Sequence, residues 1–257
     1  RITGLEYLIS HHADQFFIVT NENAQNFKLM VTPVEETTKE NWNEVIAHRP
    51  DVFIEGIDTF EDFIVLYERR DGFTQIRISD PDGVSNVKYI PFPETVYAVS
   101  TMPNPEFKTD KLRIKYTSLI TPNSVIDYHI QTGKWDFKKV DEIPSGYDAS
   151  QYESARAYAT APDGTKVPMS IVYKKGIQKN GSNPTLLYGY GSYGFSMEAA
   201  FNANRLSLLD RGFVYVIGHI RGGSEMGRAW YDNGKMLNKK NTFTDFIACA
   251  EQLIKDG

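Results

Sequence analysis

The feature that most constrains the fold is a repeat of strand-like segments in the first 150 residues. Phe16 and Phe63 lie 47 positions apart, and Phe63 and Leu112 lie 49 apart, each inside a short apolar segment. A turn and a second apolar segment follow each time; the three pairs are 14–19 with 27–34, 61–66 with 73–79, and 110–114 with 124–130. A period of roughly 40–50 residues with about four strands per unit is typical of β-propeller blades.

The repeat predicts a partial β-propeller of about three four-stranded blades in residues 1–150. A propeller ring typically needs at least about four blades. We therefore expect further blades before Arg1, and the lack of an initial Met agrees with a chain that begins inside a longer polypeptide. An irregular sandwich remains the alternative, because spacing alone does not determine how the sheets close.

The pattern changes after residue 150 and predicts a second, α/β domain. A hairpin is expected around 162–164, where Pro-Asp-Gly is a strong turn signal. Apolar segments at 185–188 and 213–217 flank a helical segment at 201–209. Strand, helix and strand in that order predict a right-handed parallel crossover. So small a sheet has an open edge, so we expect it to continue beyond Gly257.

The last segment predicts a helix with one apolar face. Thr242 and Asp245 have the spacing of a capping box, which predicts that the helix starts there, and Gly257 stands where a helix would stop. Six apolar residues fall on one face at helical spacing: Phe243, Phe246, Ile247, Ala250, Leu253 and Ile254. Such a face normally turns towards the core.

Charge and composition narrow the function classes. Residues 1–150 contain 15 Lys and Arg against 24 Asp and Glu, and the rest contains 13 against 9, which gives net charges of −9 and +4. The acidic first part argues against nucleic-acid binding and would attract cationic ligands. The single cysteine, Cys249, suits a cytoplasmic protein. Because apolar stretches stay far below the roughly 18 residues of a membrane span, no membrane association is expected.

Gly189 to Gly194 read G-x-G-x-x-G directly after a predicted strand, which is the pattern of a dinucleotide site. Tyr190 and Tyr193, however, occupy positions where a pyrophosphate would approach the backbone, and Glu198 would add a negative charge nearby. The next strand also lacks the acidic residue that binds the ribose in such sites. An NAD(P)-dependent oxidoreductase therefore remains only as an alternative.

The chain itself shows no complete catalytic machinery. Neither Ser192 nor Ser224 has the flanking glycines of a G-x-S-x-G nucleophile elbow. We expect His219 to be a packed residue at a strand end rather than a base. The spacing of His, Cys, Asp and Glu does not indicate a metal site.

Three segments resemble the prolyl oligopeptidase family of serine peptidases: LYGYGSYG at 187–194, HIRGGSEMGRAWY at 219–231 and KKNTFTDF at 239–246. They are most similar to the branch that cleaves peptides after Lys or Arg. The resemblance implies a seven-bladed propeller capping an α/β-hydrolase domain, of which residues 151–257 would be the first half. It also places the Ser-Asp-His triad beyond Gly257, so we expect the chain alone to be an inactive fragment.

The resemblance further implies substrates and partners. Short basic peptides would be the substrates, the propeller would act as a size filter, and the remainder of the same polypeptide would be the main partner. Cofactors and metals are not implied. A catalytically inert β-propeller binding module with a remnant of a hydrolase is the rival hypothesis.

Four residues take roles from the family motif. Tyr190 matches the tyrosine whose hydroxyl donates a hydrogen bond to the oxyanion, a task that suits a phenol because it donates without adding charge. Glu198 matches the first of two acidic positions that bind a basic substrate side chain, whereas Ala200 replaces the second. Arg221 and Glu225 belong to a glycine-rich loop that faces the propeller, so they are domain-interface candidates. Without the motif, Tyr190 would read as a packing residue and Glu198 as a solvated charge.

Overall fold

The computed structural model describes residues 2–257, and its first part contains three four-stranded antiparallel sheets. In each, the strands are neighbours in the order of the sequence. The first sheet consists of β1 (Tyr7–His12), β2 (Gln15–Thr20), β3 (Lys28–Pro33) and β4 (Asn43–Ile46). The second consists of β5 (Val52–Thr59), β6 (Ile64–Arg70), β7 (Phe73–Ser79) and β8 (Lys88–Tyr89). The third consists of β9 (Tyr97–Thr101), β10 (Lys111–Ser118), β11 (Ser124–His129) and β12 (Trp135–Val140).

The predicted repeat corresponds to the two inner strands of each sheet. The paired segments form β2 with β3, β6 with β7, and β10 with β11. In β10, Leu112, Ile114 and Tyr116 are buried while Arg113 and Lys115 between them are exposed. The period-two pattern therefore predicted both the strand and its buried face correctly.

The three sheets pack face to face through β6, which is buried on both sides. Ile64 and Leu66 join the apolar core shared with the first sheet. Val65 and Tyr67, which point the opposite way, join the core shared with the third sheet. Within residues 2–257 apolar cores join the second sheet to the first and to the third, and none joins the third sheet to the first, so these three sheets form an open row.

A fourth sheet follows, with mixed strand directions. It consists of β13 (Tyr152–Thr160), β14 (Lys166–Lys174), β15 (Thr185–Gly189) and β16 (Val214–Gly218), in the order β13-β14-β16-β15. The β13–β14 hairpin is antiparallel, while β15 and β16 are parallel and connected through helix α1 (Ala203–Leu209). The hairpin and the parallel direction of β15 and β16 agree with the sequence prediction, and the right-handedness of the crossover stays a prediction. Helices α2 (Arg228–Asp232) and α3 (Lys240–Asp256) complete the described chain.

The predicted start of α3 is wrong by three residues, and the reason is a tertiary contact. The helix begins at Lys240, and its capping residue Lys239 makes no side-chain cap. Thr242 lies inside the first turn and donates its hydroxyl hydrogen to the carbonyl oxygen of Arg221 at 2.7 Å. Asp245 binds the Arg221 side chain instead of the helix terminus. Gly257 ends the helix with a φ of 78°, as predicted.

The apolar face predicted for α3 is only partly buried. Phe246 and Leu253 pack against the core of the fourth sheet. Phe243, Ile247 and Ile254, in contrast, are 61%, 55% and 81% exposed. The residues that the helix buries most deeply are Thr242, Asp245, Ala248 and Cys249. The helix therefore has a second apolar stripe that residues 2–257 leave uncovered.

The first and second parts of the chain share an apolar core. Val96, directly before β9, and Leu119, directly after β10, pack with Tyr152, Val172 and Ile217 of the fourth sheet and with Ala199 of the loop after β15. This contact fixes the loop after β15 against the second and third sheets. In residues 2–257 we find no helix that combines the length and the apolar character needed to cross a bilayer.

Candidate active site

Backbone segments meet closely around the glycine-rich turn after β15. A Cβ atom on Gly191 would lie 2.5 Å from the carbonyl oxygen of Arg221 and 2.6 Å from the Thr242 methyl group. Gly222 has a φ of +104°, and a Cβ there would lie 2.0 Å from the carbonyl oxygen of Gly191. These glycines are therefore required because two backbone segments touch, which no side chain would allow.

The same packing argues against a dinucleotide site. In such a site the second glycine leaves room for a pyrophosphate to approach the backbone. At Gly191 that space is filled by the Arg221 carbonyl group and the Thr242 side chain. The G-x-G-x-x-G pattern here consequently serves protein packing.

Lys239, which sequence analysis did not single out, holds this turn from the start of α3. Its ammonium group donates to the carbonyl oxygen of Gly191 and, at 2.8 Å, to the hydroxyl oxygen of Ser192. Burial lowers the pKa of the Lys239 ammonium below its usual value. The lysine thus anchors the turn that carries Tyr190 from a position 48 residues away along the chain.

Tyr190 lies on the exposed side of this anchored turn. Its side chain is 39% exposed, and its ring packs edge-on against Phe195 with the centroids 6.0 Å apart. Tyr193, three residues further on, has a φ of +58° and is 88% exposed. The phenol of Tyr190 is therefore accessible on a fixed backbone, and its role as an oxyanion donor remains a prediction.

Glu198 faces the second sheet and forms an ion pair there. Its Oε1 accepts a hydrogen bond of 2.6 Å from Nη2 of Arg69, while Nε of Arg69 donates to Glu55 at 2.9 Å. Arg69 is only 5% exposed, in contrast to 37% for the Glu198 side chain. Glu55, Arg69, Glu198 and Ala200 line a cavity of about 380 Å³. Glu198 is therefore not the freely solvated charge of the alternative interpretation, and its role in substrate binding remains a prediction.

Sequence analysis missed Arg69, although one signal was available. Arg69 belongs to β6, a strand that is buried on both faces up to its last residue. A charged residue in such a strand is rare unless it is paired, so it marks a functional or structural ion pair. The partner on the loop after β15 lies 129 positions away and could not be inferred from local pattern.

Arg221, a domain-interface candidate, is a buried structural residue in this part of the chain. Its guanidinium donates to both carboxylate oxygens of Asp245, at 2.6 and 2.9 Å, and to Asp163 at 2.6 Å. The hydrogen bond from Arg221 lowers the pKa of Asp163 to about 2. Both partners belong to the second part of the chain, and a contact of Arg221 with the propeller remains a prediction.

Glu225, the other interface candidate, is fully buried. Its Oε1 accepts a hydrogen bond of 2.8 Å from the backbone N–H of Met197. Its second oxygen has no partner within residues 2–257. Burial raises the pKa of Glu225 to about 7. Glu225 therefore fixes the residue next to Glu198, while its interface role remains a prediction.

His219 is a packed residue, as the sequence analysis expected. It is 2% exposed, and its Nε2 lies 2.7 Å from the hydroxyl oxygen of Ser170. Burial, together with the charges of Arg156 and Arg69, lowers the pKa of His219 to about 3. A neutral, enclosed imidazole is poorly placed to take a proton from a substrate or nucleophile.

Among residues 2–257, His, Cys, Asp and Glu side chains form no group of three or more that could hold a metal ion.

Comparison with known proteins identifies the family. Residues 1–141 match the family model described as "Prolyl oligopeptidase, N-terminal beta-propeller domain", and residues 199–257 match that of the prolyl oligopeptidase family. The chain belongs to the prolyl oligopeptidase family. The resemblance inferred from the three sequence segments is thus confirmed, and the first region matches a β-propeller domain.

Three relatives show how much of a family member the chain covers. Dipeptidyl aminopeptidase BI of Pseudoxanthomonas mexicana is 45% identical over 100% of this chain and 35% of its own length. Protease 2 of Moraxella lacunata is 39% identical over 99% of the chain and 36% of its own length. The closed form of oligopeptidase B from Trypanosoma brucei, with covalently bound antipain, superposes with a TM-score of 0.89 at 39% identity, covering 99% of this chain and 37% of that one. The chain therefore spans little more than a third of the length of these relatives.

Proposed function

We propose that the chain is part of a serine oligopeptidase that cleaves short peptides after Lys or Arg. Residues 1–150 would be the last three blades of the propeller, and residues 151–257 the opening half of the α/β-hydrolase domain. The nucleophile and its Asp and His partners would come from the remainder of the polypeptide. Identity to protease 2 and likeness to oligopeptidase B along almost the whole chain support this assignment.

The observation that carries the proposal is the accessible Tyr190 phenol on a turn fixed from two sides. Lys239 and Thr242 hold the turn through the carbonyl oxygen of Gly191 and the loop at Arg221. A preorganised donor of this kind needs no rearrangement when negative charge develops on the carbonyl oxygen of the substrate. In the complete enzyme the serine would attack that carbonyl, and Tyr190 would stabilise the resulting oxyanion.

Two measurements on the complete polypeptide test the reaction class. It should hydrolyse an Arg-based fluorogenic peptide and should be labelled and inactivated by a serine-reactive fluorophosphonate, because the mechanism requires a covalent serine intermediate. The purified 257-residue chain should do neither. A complete polypeptide that is neither labelled nor active would favour the inert binding module.

Dipeptidyl aminopeptidase activity is a second candidate. The relative with the highest identity among those described carries that name, and it matches the whole chain. Release of dipeptides requires a free amino terminus on the substrate, whereas endopeptidase cleavage does not. Comparing the same Arg peptide with a free and with an acetylated amino terminus therefore separates the two functions.

A further inference from the structure

The cavity beside Glu198 contains a second carboxylate that no family motif assigns. It lies between β5 and β6 of the second sheet, β9 and β10 of the third sheet and the segment at 198–200. Glu198 enters it from the loop after β15, and Glu55 enters it from β5. Ala200 also lines the cavity, so the position at which the resemblance expects a second acid contributes only a methyl group.

Arg69 holds the two carboxylates side by side. Its Nε donates to Oε1 of Glu55, and its Nη2 donates to Oε1 of Glu198. Each carboxylate uses one oxygen in this way, and each side chain remains partly exposed, 27% for Glu55 and 37% for Glu198. A carboxylate can accept further hydrogen bonds on its second oxygen. Two such oxygens are therefore free to bind a ligand in the cavity.

The charge balance favours a single cation. Glu55 and Glu198 together carry two negative charges and Arg69 one positive charge, which leaves one negative charge in the cluster. Lys115 also lines the cavity, but its side chain is exposed and solvated. One ammonium or guanidinium group would neutralise the cluster, and its donors would match carboxylate oxygens.

We propose that Glu55 is the second carboxylate of a cation subsite in which Arg69 positions both acids. This inference rests on the proposed peptidase function and adds a residue of the propeller to its specificity. The cation is either a basic side chain of the peptide or its free amino terminus, since both offer N–H donors and one positive charge. Glu55 thereby takes the place that Ala200 leaves without a charge.

Arg69 has one further donor whose partner lies outside the described residues. The side chain is 95% buried, and its Nη1 has no hydrogen-bond partner within residues 2–257. Buried donors of this kind are normally satisfied, so Nη1 calls for an acceptor that residues 2–257 do not supply.

The test is Glu55→Gln in the complete polypeptide, with Glu61→Gln as the matched control. Glu61 lies six positions further along the chain, pairs with the exposed Lys108 at 3.1 Å and does not line the cavity. Three substrates share the scissile residue. In the first, a basic residue precedes it and the amino terminus is acetylated. In the second, alanine precedes it and is itself the amino-terminal residue with a free amino group; in the third, alanine precedes it and the amino terminus is acetylated. The first two carry a cation before the scissile residue, from different sources, and the third carries none at that place.

Glu55→Gln should lower kcat/KM about tenfold or more for the cation-bearing substrate that the wild type prefers. It should leave kcat/KM for the third substrate, which has no cation before the scissile residue, within about twofold. Without the charge of Glu55, Arg69 also neutralises Glu198 completely. The lost carboxylate and the neutralised one both weaken binding of the cation. Glu61→Gln should change none of the three values.

The inference would be overturned if Glu55→Gln lowered kcat/KM equally for all three substrates or kept the wild-type preference unchanged. It would also be overturned if the wild type showed no preference for a substrate with a cation before the scissile residue. A wild type that cleaves nothing would instead contradict the peptidase proposal. In that case calorimetric titration of the wild type and of Glu55→Gln with arginine amide still decides the inference. Binding that is weaker in Glu55→Gln than in the wild type supports it, and equal binding or no binding contradicts it.

Discussion

At the scale of single residues, Glu225 makes stability depend on pH. Burial raises its pKa from the ordinary 4.5 to about 7, so the folded protein binds a proton between these values that the unfolded chain has released. The contribution to the free energy of unfolding is therefore fully present below about pH 4.5 and is lost as the pH rises towards 7. Glutamine keeps the acceptor for Met197 N–H but cannot ionise.

The predicted result is that Glu225→Gln gains stability relative to the wild type as the pH rises. Between pH 5 and pH 8 the difference in unfolding free energy should shift by about 2 kcal/mol in favour of the variant. Denaturant unfolding of the complete polypeptide at both pH values measures this. A difference that is independent of pH would show that Glu225 titrates normally.

Lys239 is predicted to be a positioning residue for Tyr190. Lys239→Met removes the donors to Gly191 and Ser192 while keeping the aliphatic length, so the turn should loosen. We expect kcat to fall about tenfold or more with little change in KM, because small misplacements of catalytic groups reduce the rate strongly. The neighbouring and exposed Lys240 provides the control Lys240→Met, which should behave as wild type. A change in KM alone would contradict the role.

The family motif indicated some candidate site residues and missed others for a physical reason. Tyr190 and Glu198 were named from the resemblance, and their roles stay predictions; the glycines beside Tyr190 are legible in sequence because close backbone contact demands glycine. Arg69 and Lys239 act through contacts with residues 129 and 48 positions away, which leave no local periodicity. Only the burial of a charge in an apolar strand could have indicated Arg69.

At the scale of elements, α3 shows how a tertiary contact overrides a local signal. Its Thr-x-x-Asp pattern is that of a capping box, yet both side chains bind the Arg221 segment. The strands and the parallel crossover were predictable because the alternation of apolar and polar residues, like the apolar runs, reflects which side chains of each strand are buried. The helix start was not, since the competing partner lies on another loop.

Asp245→Ala should strongly destabilise the protein through this contact. Asp245 is fully buried and accepts three hydrogen bonds from the backbone and side chain of Arg221. Removing one partner of a buried ion pair costs about 3 kcal/mol, because the remaining charge stays enclosed. The midpoint of denaturant unfolding measures the loss, and Asp256→Ala at the exposed end of α3 should cost less than about 0.5 kcal/mol. Equal effects of the two changes would contradict the account.

At the scale of the whole molecule, the first part of the chain supports the candidate site directly. Asn26 of the first sheet accepts a hydrogen bond of 2.9 Å from the backbone N–H of Arg228 and donates to the carbonyl oxygen of Pro50 at 2.8 Å. Arg156 of β13 donates to the carbonyl oxygen of Asp71 and stacks over the Phe73 ring. Together with the Arg69–Glu198 pair, these contacts make the geometry around Glu198 a joint property of the propeller-like sheets and the fourth sheet.

The repeat and the change of pattern near residue 150 were enough to predict four-stranded blades in the first part and an α/β sheet in the second. Both patterns depend on which residues of a single strand or helix are buried. The contacts between the two parts were not predictable. The Asn26–Arg228 pair, for example, spans 202 positions and involves a backbone group that carries no sequence signal.

The central claim is that the turn after β15 presents Tyr190 as an oxyanion donor, and Tyr190→Phe in the complete polypeptide tests it most directly. The substitution keeps the ring and its contact with Phe195 and removes only the hydroxyl group. We predict a fall in kcat of about 10²–10³-fold on an Arg-based peptide with little change in KM, whereas Tyr193→Phe in the same turn keeps wild-type kinetics. A Tyr190→Phe enzyme with unchanged kcat would contradict the claim.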